Sequence, residues 1–141
     1  APINKVSEVV EYAVTEIDPT KISLGIPNYG YDWPLPFVGG ETAATTIGNI
    51  EAVQIAIENN AVIMFDETAM SPYFNYERDG IEDVVWFEDA RSFKSKFNLI
   101  KEFGLRGAGY WNIMSWFRPN WELLKSTFNI IKKELPQSDN S

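Results

Sequence analysis

Hydrophobic positions fall first at Val6, Val9, Val10, Ala13, Val14 and Ile17, a spacing that predicts an amphipathic helix from Ile3 to the stop at Asp18-Pro19. The mostly apolar run K-I-S-L-G-I-P at 21–27 predicts a strand, and the aromatic, proline-rich N-Y-G-Y-D-W-P-L-P after it predicts a loop. Thr45 or Thr46 is placed to cap a second helix, with Ile47, Ile50, Val53 and Ile57 facing inward and Asn59-Asn60 at its end. Three strands are predicted next, at 61–65, 73–77 and 84–88, with Arg78-Asp79-Gly80 as a hairpin turn between the last two. Asp89 then caps a helix whose stripe is Phe93, Phe97, Ile100 and Phe103, and Gly104 supplies the left-handed residue that closes it. A strand at 107–113 follows, then a last helix with Trp121, Leu124, Phe128, Ile131 and Leu135 at helical spacing. The polar tail P-Q-S-D-N-S at 136–141 is expected to be disordered.

With the central strands and the second helix set aside, two strand–helix units of a parallel α/β fold remain. Parallel sheets are normally covered on both faces, so two such strands read as part of a barrel or sheet with further strands. The opening Ala1-Pro2, directly before a helix, fits a segment of something longer. Both strands gather polar and aromatic residues at their C-terminal ends, the end that builds the active site of a (β/α)8 barrel. A slice of barrel also leaves strand edges open, which invites self-association.

At 141 residues the chain is long enough for one domain with a real core. Its net charge of -8 makes nucleic acid and anionic membranes poor partners. No apolar run approaches the length of a membrane span, and the N-terminus does not read as a signal peptide. There is no cysteine, which excludes disulfides and thiolate metal sites. The absence of histidine matters more, since it removes serine–histidine and cysteine–histidine chemistry and the commonest general base near neutral pH.

Candidate chemistry lies in the aromatic strand ends. Trp111 and Asn112 close one strand, and Asn28, Tyr29, Tyr31, Asp32 and Trp33 follow the other. Flat rings beside amides and a carboxylate suit a sugar: a ring covers the apolar C–H face of a pyranose while polar groups bond its hydroxyls or acetamide. Large aromatics more commonly fill cores and interfaces, and Trp86, Trp116 and Trp121 are assigned to packing. The acid pairs Asp66-Glu67, Glu82-Asp83 and Glu88-Asp89 invite a glycosidase reading, which needs two carboxyl groups across one bond. Adjacent residues on a strand point to opposite faces, so none of these pairs is preset to work together and none is assigned to catalysis. No metal site or cofactor is expected; a D-x-D-x-D-G pattern is absent.

Five stretches carry a family resemblance: A-P-I-N-K-V, K-I-S-L-G-I-P-N-Y-G-Y-D-W, F-D-E-T-A-M-S-P-Y-F-N-Y, V-W-F-E-D-A-R-S-F-K-S-K-F and L-R-G-A-G-Y-W-N-I. In this order they resemble the C-terminal part of the catalytic domain of glycoside hydrolase family 18, the chitinase-like family. The likeness is nearest to its spore-cortex-lytic and spore-germination branch, whose substrate is bacterial peptidoglycan. The resemblance implies the last two strand–helix units of a (β/α)8 barrel with a small α+β insertion between the two strands. On that reading 1–38 is a barrel helix, strand and loop, 39–86 the insertion, and 87–135 a barrel helix, the last strand and the C-terminal helix. Trp111 matches the tryptophan that lies under the sugar at the cleavage point, and Tyr29 the tyrosine of the family's Y-G element. The implied partner is an N-acetylated glycan, peptidoglycan or a chitin oligosaccharide, and the implied location is the spore or cell envelope.

Two departures from the family's pattern stand out. Chitinases often carry arginine where this chain has Tyr31, which turns the reading from chitin toward the spore branch. The signature D-x-x-D-x-D-x-E, whose glutamate protonates the leaving group, is absent, as is the M-x-Y-D element. Family members use the substrate's N-acetyl oxygen as the nucleophile, an exception to the two-carboxylate scheme. Trp111 and Tyr29 can hold a sugar for that step but cannot supply a proton. The chain alone is therefore expected to be inert, with substrate-binding residues and no catalytic one. A non-catalytic glycan-binding protein and a folding module without ligand are the alternatives.

Overall fold

The computed structural model describes residues 1–131, so Leu135 and the tail at 136–141 lie outside the described residues. Helix α1 (Ile3–Glu16) leads through a 3-10 turn (Pro19–Lys21) into strand β1 (Ser23–Pro27). Asp18 holds that turn by accepting a hydrogen bond from the Thr20 amide at 2.9 Å. Strand β7 (Gly107–Trp111) runs parallel beside β1, with Ser23 opposite Gly107 and Pro27 opposite Trp111.

Alternation along this strand pair separates its two faces. Leu24 and Ile26, with Ala108 and Tyr110, face a core that includes Val10, Phe93, Phe97, Ile100 and Leu105. Helix α3 (Ala90–Glu102) supplies the phenylalanines, and its start is set as expected. Asp89 accepts hydrogen bonds from the amides of Arg91 and Ser92, while the Ser92 hydroxyl accepts from the Asp89 amide. Gly104 follows at φ +61°, the left-handed conformation that glycine adopts without strain. Helix α1 differs from expectation in detail: Val6, Val10 and Val14 pack inward, whereas Val9 and Ile17 are exposed.

The segment between β1 and α3 forms a second, antiparallel sheet in the order β3-β2-β6-β5-β4. Its strands are β2 (Gly30–Pro34), β3 (Thr45–Ile47), β4 (Met64–Asp66), β5 (Ser71–Arg78) and β6 (Ile81–Trp86). Three expectations are corrected here. The aromatic stretch after β1 is not a loop: Gly30–Pro34 pairs with both β3 and β6. Thr45 and Thr46 do not cap a helix, because both lie in β3; α2 (Asn49–Glu58) starts after Gly48, whose amide donates to Glu51 Oε2 at 3.2 Å. Ile50 and Ile57 are exposed, while Ala52 and Ala56 face Phe74, Val85 and Phe87, since small residues let the helix approach the sheet closely.

The β5–β6 hairpin forms where predicted. Asp79 (φ +54°) and Gly80 (φ +77°) both take the positive φ that a two-residue hairpin turn of this hand requires. Strand β7 stops at Trp111, two residues short of the expected end, and α4 (Arg118–Thr127) stops short of Phe128. Phe128 instead packs edge-on against Phe97 with ring centroids 5.2 Å apart, and Ile131 is exposed.

Candidate functional site

Trp111 ends β7 on the face turned away from the helices, and its side chain is 73% exposed. Below it on that face Gly25 and Gly109 are register partners, and a methyl group added to either would meet no neighbour. The Asn28 amide donates to the Trp111 carbonyl at 3.1 Å, which ties the residues after β1 to the same end of the strand pair. The Trp111–Asn112 peptide bond is cis.

From Asn28 onward the side chains split between two sides of β2. Tyr29, Tyr31, Trp33 and Phe37 follow one another as an aromatic series, with successive ring centroids 5.5, 6.0 and 5.6 Å apart. The neighbouring Tyr31 hydroxyl, and then burial, hold the Tyr29 phenol above its ordinary pKa, so it stays protonated and able to donate. Asp32 points the other way and is fully buried. Its Oδ2 accepts from the Tyr76 hydroxyl at 2.7 Å and from Arg78 Nη1 at 3.2 Å, and Arg78 Nη2 donates to the equally buried Asp83 at 2.7 Å.

Asn28 is fully buried as well. Its Nδ2 donates to the carbonyls of Asn112 and Ser115, and its Oδ1 accepts from Asn49 Nδ2 at 3.4 Å. Asn49 Oδ1 in turn accepts from the Glu88 amide at 3.0 Å. Asn112 is half-buried, and its side-chain oxygen accepts from the Met114 amide at 3.0 Å. Of the six residues expected to touch a sugar, the structure therefore brings Trp111, Tyr29 and Tyr31 to accessible surface at one end of the strands. Asn28 and Asp32 are corrected from sugar contacts to internal struts, because protein groups surround them.

A cleft of about 420 Å³ opens where the two sheets meet, walled by Pro2, Pro27, Tyr29, Tyr31, Trp86 and Glu88 among others. Pro27, the register partner of Trp111, joins this cleft to the exposed indole. Trp86 corrects its assignment to packing: it is half-buried, stacks on Tyr73 at 4.6 Å and lines the cleft. The signal was present in the sequence. Counting outward from the Asp79-Gly80 turn pairs Tyr73 with Trp86 on one face. Trp116 is 60% exposed and lies flat over Trp121, which tilts against Tyr110. Burial pushes the Tyr110 phenol up to about 12, and its hydroxyl donates to Asn120 at 3.1 Å.

Glu67 is exposed, and the other acids considered for catalysis are held by protein partners. Asp66 accepts from the Thr68 and Ala69 amides, Glu82 from Asn75, and Asp89 caps α3. Glu88 lies at the cleft floor, paired with Lys96 Nζ at 2.8 Å and with the Ala1 amino group at 3.3 Å. Among the described residues no cluster of three or more acids could hold a metal ion.

Comparison with known proteins bears on this geometry. The model of Glycosyl hydrolases family 18 matches residues 1–115. The cortical fragment-lytic enzyme of Bacillus subtilis (strain 168) is 48% identical over 134 residues, covering 94% of this chain and 31% of that protein. The crystal structure of the Bacillus cereus spore cortex-lytic enzyme SleL superposes with a TM-score of 0.88 at 46% identity, covering 93% of this chain and 30% of that one. A chitinase from Chromobacterium violaceum ATCC 12472 superposes at 0.81 with 27% identity, covering 90% of this chain and 39% of its own. The chain spans about a third of the length of the curated relatives it matches, as the 31% share shows. Its mixed α/β fold is that of the C-terminal part of these chitinase-like structures, and with the aromatic strand ends in their order the chain belongs to glycosyl hydrolase family 18.

Proposed function

We propose that this chain is the substrate-binding C-terminal segment of a glycosidase that hydrolyses an N-acetylglucosamine-containing glycan, peptidoglycan or a chitin-like polymer. In this reading β1 and β7 with their helices are the last two strand–helix units of a (β/α)8 barrel, within 1–38 and 87–135. Residues 39–86 are the inserted unit, whose sheet also recruits β2. The observation that carries the proposal is the exposed indole of Trp111 at the C-terminal end of β7, beside the Tyr29 segment. The substrate's own N-acetyl oxygen is the nucleophile. Trp111 and Tyr29 hold the sugar in place for its attack, and Asn28 and Asn112 support them from beneath. The proton for the leaving group comes from outside this chain, because the D-x-x-D-x-D-x-E signature whose glutamate supplies it is absent here. The names of the relatives favour the spore envelope as the place of action.

Titrating N-acetylglucosamine oligomers while following tryptophan fluorescence tests the binding claim. The wild-type signal changes and the Trp111→Ala signal loses most of that change; no change in either protein overturns the glycan reading. Cortex peptidoglycan is left intact by the isolated chain and is cleaved by a version extended at its N-terminus. Turnover by the isolated chain sinks the assignment of the proton donor. The absence of that signature also fits a non-catalytic glycan-binding protein, which an extended chain that binds without turnover would select.

Among the described residues β1 and β7 each keep one unpaired edge. Such edges pair with other chains, so light scattering at high concentration gives a mass above that of the monomer; a clean monomer refutes this.

A further inference from the structure

Helix α2 is apolar on two sides. Ala52 and Ala56 pack on Phe74, Val85 and Phe87, and yet Ile50 and Ile57 are 49% and 70% exposed. The two isoleucines lie about two helical turns apart, so they stand one above the other as a ridge, with Val53 half-buried behind them. Glu51 and Glu58 form a second exposed ridge at the same separation, and Gln54 lies between the two. A single exposed isoleucine needs no explanation, but a helix with apolar residues on both sides is normally covered on both. At the N-terminal end of α2 this face opens into a cleft of about 440 Å³, whose far wall is Met114, Ser115 and Trp116 of the loop after β7. Met114 is 86% exposed there. None of these walls belongs to the cleft beside Glu88.

We propose that the outer face of α2 and the loop after β7 dock a basic amphipathic helix of another protein, apolar along one stripe and carrying lysine or arginine beside it. The isoleucine ridge and Met114 take its apolar stripe, and the glutamate ridge takes its cations. Charge selects this occupant. No lysine or arginine occurs in the sequence between Lys21 and Arg78, whereas Glu41, Glu51, Glu58, Glu67 and Glu77 of that stretch are all exposed. A cationic flank is therefore drawn to this side of the molecule and an anionic one repelled. A second copy of the chain is the poorer occupant, since it brings its own acidic ridge and a net charge of -8. A helix fits better than an added strand, because α2 offers side chains at helical spacing and no free row of backbone groups. The face stands apart from Trp111 and Tyr29, so its occupancy does not depend on the glycan reading.

Two dye-labelled synthetic helices test the face by fluorescence anisotropy on the whole chain: one with leucine along a stripe and lysine beside it, and a twin with glutamate for lysine. The lysine peptide binds about tenfold or more tightly than its twin, and its affinity falls as salt rises. The double variant Ile50→Ser, Ile57→Ser weakens the lysine peptide by about tenfold or more. Glu58→Lys weakens it by about three- to tenfold and strengthens the twin. All three substituted residues are exposed, so the variants keep the fold, which circular dichroism checks. If the double variant fails that check, Glu58→Lys with the two peptides carries the decision. Equal affinity of the wild type and the double variant shows diffuse charge attraction alone and overturns the docking face. So does displacement of the peptide by the N-acetylglucosamine tetramer, which puts it in the saccharide cleft. A wild-type chain that ignores the lysine peptide also refutes the proposal. A double variant that only lowers the mass seen by light scattering makes a second copy the occupant and refutes it too.

Discussion

Lys96→Ala lowers the unfolding free energy by about 3–5 kcal/mol, the cost of leaving a buried carboxylate without its counter-charge. Lys96 lies mid-way along α3 and Glu88 just before its cap; their side chains are 1% and 2% exposed, with Nζ and Oε2 2.8 Å apart. Removing the ammonium leaves the Glu88 carboxylate, itself only 2% exposed, without the counter-charge at 2.8 Å. Total stabilities of such domains run to roughly 5–15 kcal/mol, so this one substitution removes a large share. Replacing the pair by apolar groups of similar size, Lys96→Met with Glu88→Leu, recovers most of the loss, because the desolvation of both charges disappears together. Urea denaturation of the two single variants and the double variant measures the cycle. A Lys96→Ala loss below about 1 kcal/mol would show that the pair is solvated in practice.

Arg78→Ala carries the second large effect. One guanidinium serves two buried carboxylates, Asp32 and Asp83, whose remaining oxygens have no hydrogen-bond partner among the described residues. Because the arginine is itself 48% exposed, solvent screening reduces the expected loss to about 2 kcal/mol near neutral pH. The loss depends on pH, and its direction follows from Asp83. Burial, and then the neighbouring Asp32, hold the Asp83 pKa above its ordinary value, while Arg78 opposes them. A carboxyl group raised in the folded state binds more protons there than in the unfolded chain. Its favourable contribution is thus present at acid pH and fades as pH rises through the folded value. Without Arg78 that rise grows, so the deficit of the variant widens between about pH 4 and pH 7. Equal deficits at both ends of that range would contradict a charge-based origin.

Local signals made the helices around the core legible before any coordinates. Asp89 with Ser92 and the Phe93–Phe97–Ile100 stripe act within a few residues of one another, so spacing alone reveals them. Asp79-Gly80 did the same for the hairpin. Strand β2 was hidden because its partners lie far away: Tyr31 pairs with Thr46 and Trp86, and nothing near Gly30–Pro34 announces either. The prolines at 34 and 36 reinforced the loop reading. Helix α2 misled for a different reason, since its large residues Ile50 and Ile57 point outward and its alanines make the contact. At the site Trp111 is exposed and Tyr29 half-buried, but residue type cannot tell a strut from a surface group. Asn28 and Asp32 look like ligand contacts in a string of polar and aromatic letters; only pairing across the chain turns them inward.

The two asparagines at the sheet junction have a mechanical consequence. Asn28 grips the carbonyls that follow Trp111 and reaches Asn49, which holds the amide of Glu88 at the root of α3. Two sheets joined only by covalent linkers would swing like jaws, and any ligand entering between them would have to still that motion. Here three chain segments are pinned at one buried point, so the gap keeps its width when empty. Little ordering would then remain for a ligand of the cleft to impose, and more of its contact energy would be left as affinity.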